Sequence, residues 1–244
     1  MRTIKLVIQY DGTRYAGWQY QENARSVQKT IEKALSQILS GPVRLKGASR
    51  TDAGVHARGQ TASFTTASSL KLTSLKKALN GLLPKDIVVS KVTRMGADFN
   101  AQFAARSKHY RYSLVEADCI DPFVRRYAVR VVPGIDIASM RKAARHLVGR
   151  HDFRSFRSSG DDQKSFLRHV SSITISRKGP SISIDIKANG FLYTMARTIV
   201  GTLIEVGRGK FSSEQVKEIV KKRDRRLAGP TAPAKGLCLM RVVY

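Results

Sequence analysis

A chain of 244 residues suits one large domain or two modest ones, and 42% hydrophobic with 25% charged residues is ordinary for a globular protein. Wholesale disorder and collagen-like structure are both disfavoured. Charge is the departure: 44 Lys and Arg against 18 Asp and Glu leave a formal +26, self-repulsive unless a polyanion lies near. No apolar run approaches the roughly 20 residues of a membrane span, so nucleic acid is the expected partner and a membrane is not.

From Ile4 to Tyr10 the chain is β-rich and is punctuated by Asp11-Gly12-Thr13. Ser26 then reads as a helix N-cap, because Val27, Ile31, Leu35 and Ile38 recur at helical spacing until Gly41-Pro42. Short strands are expected near Val43 to Ala48 and Gln60 to Thr65, with the turn-rich segment from Ser49 to Gly54 between them. A helix over Ser74 to Leu82 and a strand over Ile87 to Val92 complete a β-α-β-β-α-β half.

The second half opens on Ser107 to Val115, where Tyr110, Tyr112 and Leu114 alternate with polar residues at the period of a half-buried strand. Asp136 is placed to cap a helix running through Val148, and strands are expected over Val170 to Arg177 and Ser181 to Ala188. A helix from Phe191 to about Val206 carries an apolar stripe, and Ser212 with Gln215 forms a capping box for a helix to Lys222. Leu237 to Val243 reads as the last strand. The expected class is α+β, two tandem β/α halves (1–105 and 106–244) with a largely antiparallel sheet and flanking helices.

Cys119 and Cys238 are far apart and form no CxxC pair, which fits a reducing cytoplasm. The start, MRTIKLVIQYDG, reads as a strand and not as a signal peptide, so a cytoplasmic location is expected. There is no phosphate-binding GxxxxGK[ST], no HExxH, no GxSxG and no zinc-ligand spacing, so no metal site is expected. His151 beside Asp152 suggests a base with its orienter, but neighbours on a strand point to opposite faces, so the pair is read as structural.

Arg50-Thr51-Asp52-Ala53-Gly54-Val55-His56 sets a carboxylate beside a guanidinium inside a turn between two strands. Asp and Gly are turn residues in their own right. In a polycationic chain, however, a carboxylate flanked by Arg50 and Arg58 would repel the RNA it meets unless it is used. Arg197 falls at the edge of its helix's apolar stripe, which fits either a snorkelling side chain or a cation paired with a buried carboxylate, Asp52 being a candidate. Tyr110 and Tyr112 are either packing residues or a platform for an unstacked base.

Several segments, taken in order, resemble tRNA pseudouridine synthases of the TruA type over essentially the whole chain. They are Tyr10-Asp11-Gly12-Thr13 with Gly17-Trp18-Gln19, the Arg50 to Ala57 run, Lys108 to Tyr112, His151-Asp152-Phe153, Gly190 to Tyr193 through Arg197 to Leu203, and Ala232-Pro233-Ala234 with Gly236-Leu237. The resemblance implies the pseudouridine synthase fold and isomerisation of uridine to pseudouridine at positions 38 to 40 of the tRNA anticodon stem-loop, without cofactor, by a cytoplasmic homodimer. It makes Asp52 the catalytic carboxylate, Arg50 the arginine that helps move the target nucleotide and Tyr110 the residue stacking on the base. By the same likeness Arg197 pairs with the aspartate and Leu237 lines the pocket. Ser49, Thr194 and Ala196 depart from the usual glycine, asparagine and valine, which bears on substrate range. A non-catalytic RNA-binding module and a synthase acting on another RNA remain the alternatives. A pure binder would have no reason to keep Asp52, Tyr110 and Arg197 together.

Overall fold

The computed structural model describes residues 1–160 and 165–244. Along the chain these form β1 (Arg2–Tyr10), α1 (Val27–Leu39), β2 (Lys46–Gly47), β3 (His56–Thr66), α2 (Leu72–Leu82), β4 (Ile87–Met95), β5 (Ser107–Glu116) and β6 (Val129–Val131). There follow α3 (Ile137–Arg145), β7 (Gly149–Asp152), β8 (Leu167–Lys178), β9 (Ser181–Ala188), α4 (Met195–Gly207), α5 (Ser213–Lys222) and β10 (Leu237–Val243). The described residues divide into two compact units, Met1–Arg106 with Cys238–Tyr244, and Ser107–Leu237.

In the first unit the strands run in the order β4-β1-β3-β10, with β2 paired to β3. The β1 ladders to β3 and β4 are antiparallel, with Ile4 opposite Phe64 and Leu6 opposite both Ala62 and Val92. Alternation along β1 sends Ile4, Leu6 and Ile8 to one face, where they are wholly buried. α1 supplies Val27, Ile31 and Leu35 and α2 supplies Leu75 and Leu79, all fully buried. Each such side chain contributes roughly 1.5–3 kcal/mol by leaving water. β10 lies parallel to β3, with Cys238 opposite His56 and Leu239 opposite Ala57. A Cβ on Gly59 would stand 2.4 Å from the Met240 carbonyl oxygen, so glycine lets the two backbones close.

In the second unit β5, β9, β8 and β7 are neighbours in that order, all antiparallel, and β6 adds a short parallel rung to β5. Tyr110, Tyr112 and Leu114 stand opposite Ile186, Ile184 and Ile182, and all six are buried on one face. α4 is buried along nearly its whole length, with Met195, Ile199, Val200 and Leu203 fully enclosed. Gly207 allows α3 to approach: a Cβ there would meet Ile135 and the Met140 sulfur at 2.6 and 2.8 Å.

Sequence and structure differ at a few ends. The helix expected from Phe191 starts at Met195, because Thr194 is left-handed (φ 58°) and its hydroxyl is tied to the Ser158 hydroxyl (2.8 Å) and amide (3.2 Å). The helix expected through Val148 stops at Arg145: the amides of His146 and Leu147 turn back to Ala143 and Ala144, and Gly149 (φ 112°) starts β7. The strand expected over Val43 to Ala48 shrinks to Lys46–Gly47, where the Trp18 indole lies so close that a Cβ on Gly47 would come within 2.3 Å of it. β6 was not anticipated, being only three residues long and too short to show a period, while β7 is the short strand that carries His151 and Asp152.

Candidate active site

The acidic turn of the first unit is built by the segment that follows β1. The Trp18 amide donates to the Thr51 carbonyl (3.0 Å), the Gly54 amide to the Tyr15 carbonyl (3.3 Å), and the Val55 amide to the Asp52 carbonyl (3.1 Å). The Tyr10 hydroxyl meets the Thr51 hydroxyl at 2.8 Å, and the Gln60 side-chain amide donates to the Ser49 carbonyl at 2.6 Å. Two glycines permit this closeness. A Cβ on Gly12 would lie 2.0 Å from the Val55 carbonyl oxygen, and one on Gly17 (φ 98°) would lie 2.5 Å from that of Thr51. The Asp-Gly and Gly-Trp pairs near the N-terminus therefore act as a cradle for the backbone that carries Asp52.

Within that cradle Asp52 is half-buried and Arg50 exposed, while Ser49 and Thr51 face inward. The turn closes on Gly54 (φ 78°), a conformation glycine takes without strain. His56, the first residue of β3, is buried and accepts the Gly12 amide at Nδ1 (3.1 Å), with an Asp11 carboxylate oxygen 3.2 Å from the same nitrogen. Among the predicted residues, Arg50 and Asp52 thus share one rigid turn. His56, Tyr10 and Gly17 hold that turn without having been singled out for it; their signal was the short spacing of Asp11-Gly12 and Gly17-Trp18 after a strand.

In the second unit β5 presents Tyr110 and Tyr112 on its buried face. The Tyr110 ring meets Phe191 edge to face, with centroids 4.9 Å apart at 82°. Phe191 was expected in the stripe of a helix; released from α4, it packs against Tyr110 instead. The Tyr112 hydroxyl donates to the Pro233 carbonyl (2.8 Å), and a Cβ on Gly236 would fall 2.5 Å from its ring. Burial pushes the Tyr112 phenol well above its ordinary range, against a smaller opposing pull from the charge of Arg197.

Arg197 lies on the first turn of α4 and is half-buried, as its place at the stripe edge predicts. It is fixed at both ends: its Nε donates to the Ala232 carbonyl (2.7 Å), and the Ala232 amide donates to its backbone carbonyl (3.1 Å). Gly201 and Gly229 bring α4 and the Gly229 to Ala232 segment into backbone contact, since a Cβ on Gly201 would stand 1.7 Å from the Pro230 oxygen. The Thr202 hydroxyl accepts the Gly229 amide (3.0 Å). Leu237, at the end of the same segment, is buried. Tyr112, Arg197 and the run leading to Leu237 therefore form one connected array.

His151 and Asp152 take structural partners: His151 Nε2 is 2.9 Å from the Val148 carbonyl, and Asp152 accepts the Arg154 amide (3.0 Å) and pairs with Arg154 and Arg223. Among the described residues no cluster of His, Cys, Asp or Glu could hold a metal ion, and no helix is long and apolar enough to cross a membrane.

A family model described as tRNA pseudouridine synthase matches residues 6–104 and 143–244. A protein of Geobacter sulfurreducens named tRNA pseudouridine synthase A is 47% identical over 244 residues, covering the whole of both chains. Proteins of the same name from Pelobacter propionicus and Acetivibrio thermocellus are 47% and 43% identical, again over the whole of both chains. With more than half of its length matched by the family model and full-length relatives at this identity, the chain belongs to the tRNA pseudouridine synthase family.

Proposed function

We infer that the chain is an isomerase that converts uridine to pseudouridine in tRNA, acting on positions 38 to 40 of the anticodon stem-loop. The observation that carries this is end-to-end relatedness to proteins named tRNA pseudouridine synthase A. The reaction breaks the bond from C1′ to N1, turns the uracil and joins C1′ to C5; the hydrogen leaves C5 and N1 gains one. It has no net redox change, so it requires no cofactor.

In this proposal Asp52 is the reacting carboxylate, either attacking C1′ or removing a ribose proton, and both roles need it ionised. A turn held through Tyr10, Tyr15, Gly17 and Trp18 suits it, because a reacting atom must not drift. Arg197 takes the role of the arginine that pairs with the aspartate, and its double tie to Ala232 supports a fixed position. Tyr110 stacks on the extruded base, Leu237 lines the pocket and the exposed Arg50 helps to move the nucleotide out of its stack, a step costing a few kcal/mol. The resemblance adds a homodimer and a cytoplasmic location to the proposal; sedimentation of the purified protein with and without tRNA tests the dimer.

The test is tRNA carrying tritium at C5 of its uridines. The wild-type protein should release label to water, and Asp52→Asn should lose about a thousandfold or more of the rate while still binding the tRNA. Equal release by both proteins would move the chemistry to another residue.

A further inference from the structure

Lys108 stands two residues before Tyr110 on β5, so the two side chains project from the same face of the sheet. It is opposite Ala188 of β9, which is opposite Val170 of β8; Arg168, two residues before Val170, shares that face. The Arg168 Nε would lie 3.4 Å from a Cβ on Gly190, and Gly190 leads directly to Phe191, whose ring meets the edge of Tyr110. Half-buried Lys108 thus neighbours, on that face, the ring that the proposed function gives to the target base, and half-buried Arg168 lies across β9 on the side of Lys108 away from Tyr110, its guanidinium donating to the Ser165 and Leu167 carbonyls. Burial, and to a lesser degree the like charge of Arg168, together lower the Lys108 ammonium to about 8. His151, opposite Arg168 on β7, adds a third basic group to this face. His109, Arg111, Asp185 and Lys187 alternate onto the other face, where Asp185 bonds to His109 and Arg111.

Bringing like charges together out of water costs free energy, and the cost is recovered when an anion enters. For a chain of net charge +26 that handles RNA, the anion accompanying a base on Tyr110 is a phosphate of its own backbone. We propose that Lys108, with Arg168 beside it, grips a phosphate flanking the target uridine and so sets that nucleotide over Tyr110. This rests on the synthase reading and deepens it by adding a binding residue.

The experiment measures binding of a stem-loop RNA with one target uridine whose two flanking phosphates are replaced, one at a time, by uncharged methylphosphonate. With wild-type protein, replacement at one linkage should weaken binding about tenfold. Lys108→Gln should bind the unmodified RNA weaker by a similar factor and be insensitive to that replacement, whereas Lys108→Arg should keep both affinity and sensitivity. Wild-type affinity should also fall between about pH 7 and pH 9.5 as the ammonium loses its proton, a fall that Lys108→Arg should not show. Equal sensitivity of wild type and Lys108→Gln to both replacements, or a flat wild-type pH profile, would overturn the assignment. These readouts need no turnover, so they are separate from tritium release, whose absence in the wild type would overturn the synthase reading instead.

Discussion

At Gly17 one methyl group decides the geometry of the acidic turn. Its φ of 98° is a conformation that L side chains rarely adopt, and a Cβ would stand 2.5 Å from the Thr51 oxygen and 3.1 Å from the Asp52 carbonyl carbon. Gly17→Ala should therefore cost about 1–3 kcal/mol of stability, read as a lower urea midpoint. Since the atoms that must give way belong to Thr51 and Asp52, tritium release at a temperature where the variant is fully folded should fall by at least about tenfold. Wild-type turnover in a destabilised variant would show that the turn tolerates displacement. Tyr112 makes a different kind of contribution. Its hydroxyl is satisfied by the Pro233 carbonyl, and Tyr112→Phe should cost only about 1 kcal/mol because the neighbouring glycine packing survives.

α4 shows how a whole element places one guanidinium. Its axis is held against the Gly229 to Ala232 segment by backbone contact at Gly201 and Gly229, and the Ala232 oxygen then receives Arg197. Gly201→Ala puts a Cβ at 1.7 Å from the Pro230 oxygen, so the segment must retreat and take the partner of Arg197 with it. A loss of about 2–4 kcal/mol in stability is expected, with activity reduced beyond what the unfolded fraction explains. Leu203→Ala, which removes a fully buried side chain of the same helix, should cost about 2–5 kcal/mol and leave the folded enzyme's activity close to normal. If the two variants lost activity in the same proportion to stability, the clamp at Gly201 would have no special bearing on Arg197. The extent of α4 also shows how far sequence reading reached. The stripe Met195, Ile199 and Leu203 and the edge position of Arg197 were visible in spacing, as were the Ser26 and Ser212 caps, because local periodicity and capping follow from neighbours in the chain. The helix start was not, because it depends on Ser158, thirty-six residues away from Thr194. For the same reason Asp52 was conspicuous in its turn, while the glycine pairs after β1 stood out in spacing but their closing on Thr51 and Val55 became visible only with the fold.

For the molecule as a whole, charge is the property that binding must exploit. Many carboxylates are already engaged within the protein: Asp86 with Arg25, Glu32 with Arg44, Asp185 with Arg111, and Glu205 with Arg208 and Lys210. Pairs at the surface are worth only about 0–1 kcal/mol each, and because each cancels one acid against one base, the excess of basic side chains over acids is left untouched. A net +26 therefore presents itself to phosphates, each neutralised phosphate releasing condensed counterions. If some six phosphates are engaged, log affinity should fall with log salt at a slope of about −5, or roughly a thousandfold between 50 and 200 mM. The measurement is best made with Asp52→Asn, so that product does not accumulate during titration. Lys108→Gln should make the slope shallower by about one unit, because one phosphate contact is lost, while Tyr110→Phe should leave it unchanged. A slope near zero would mean that tRNA is held by stacking and shape, and that the basic excess serves some other purpose.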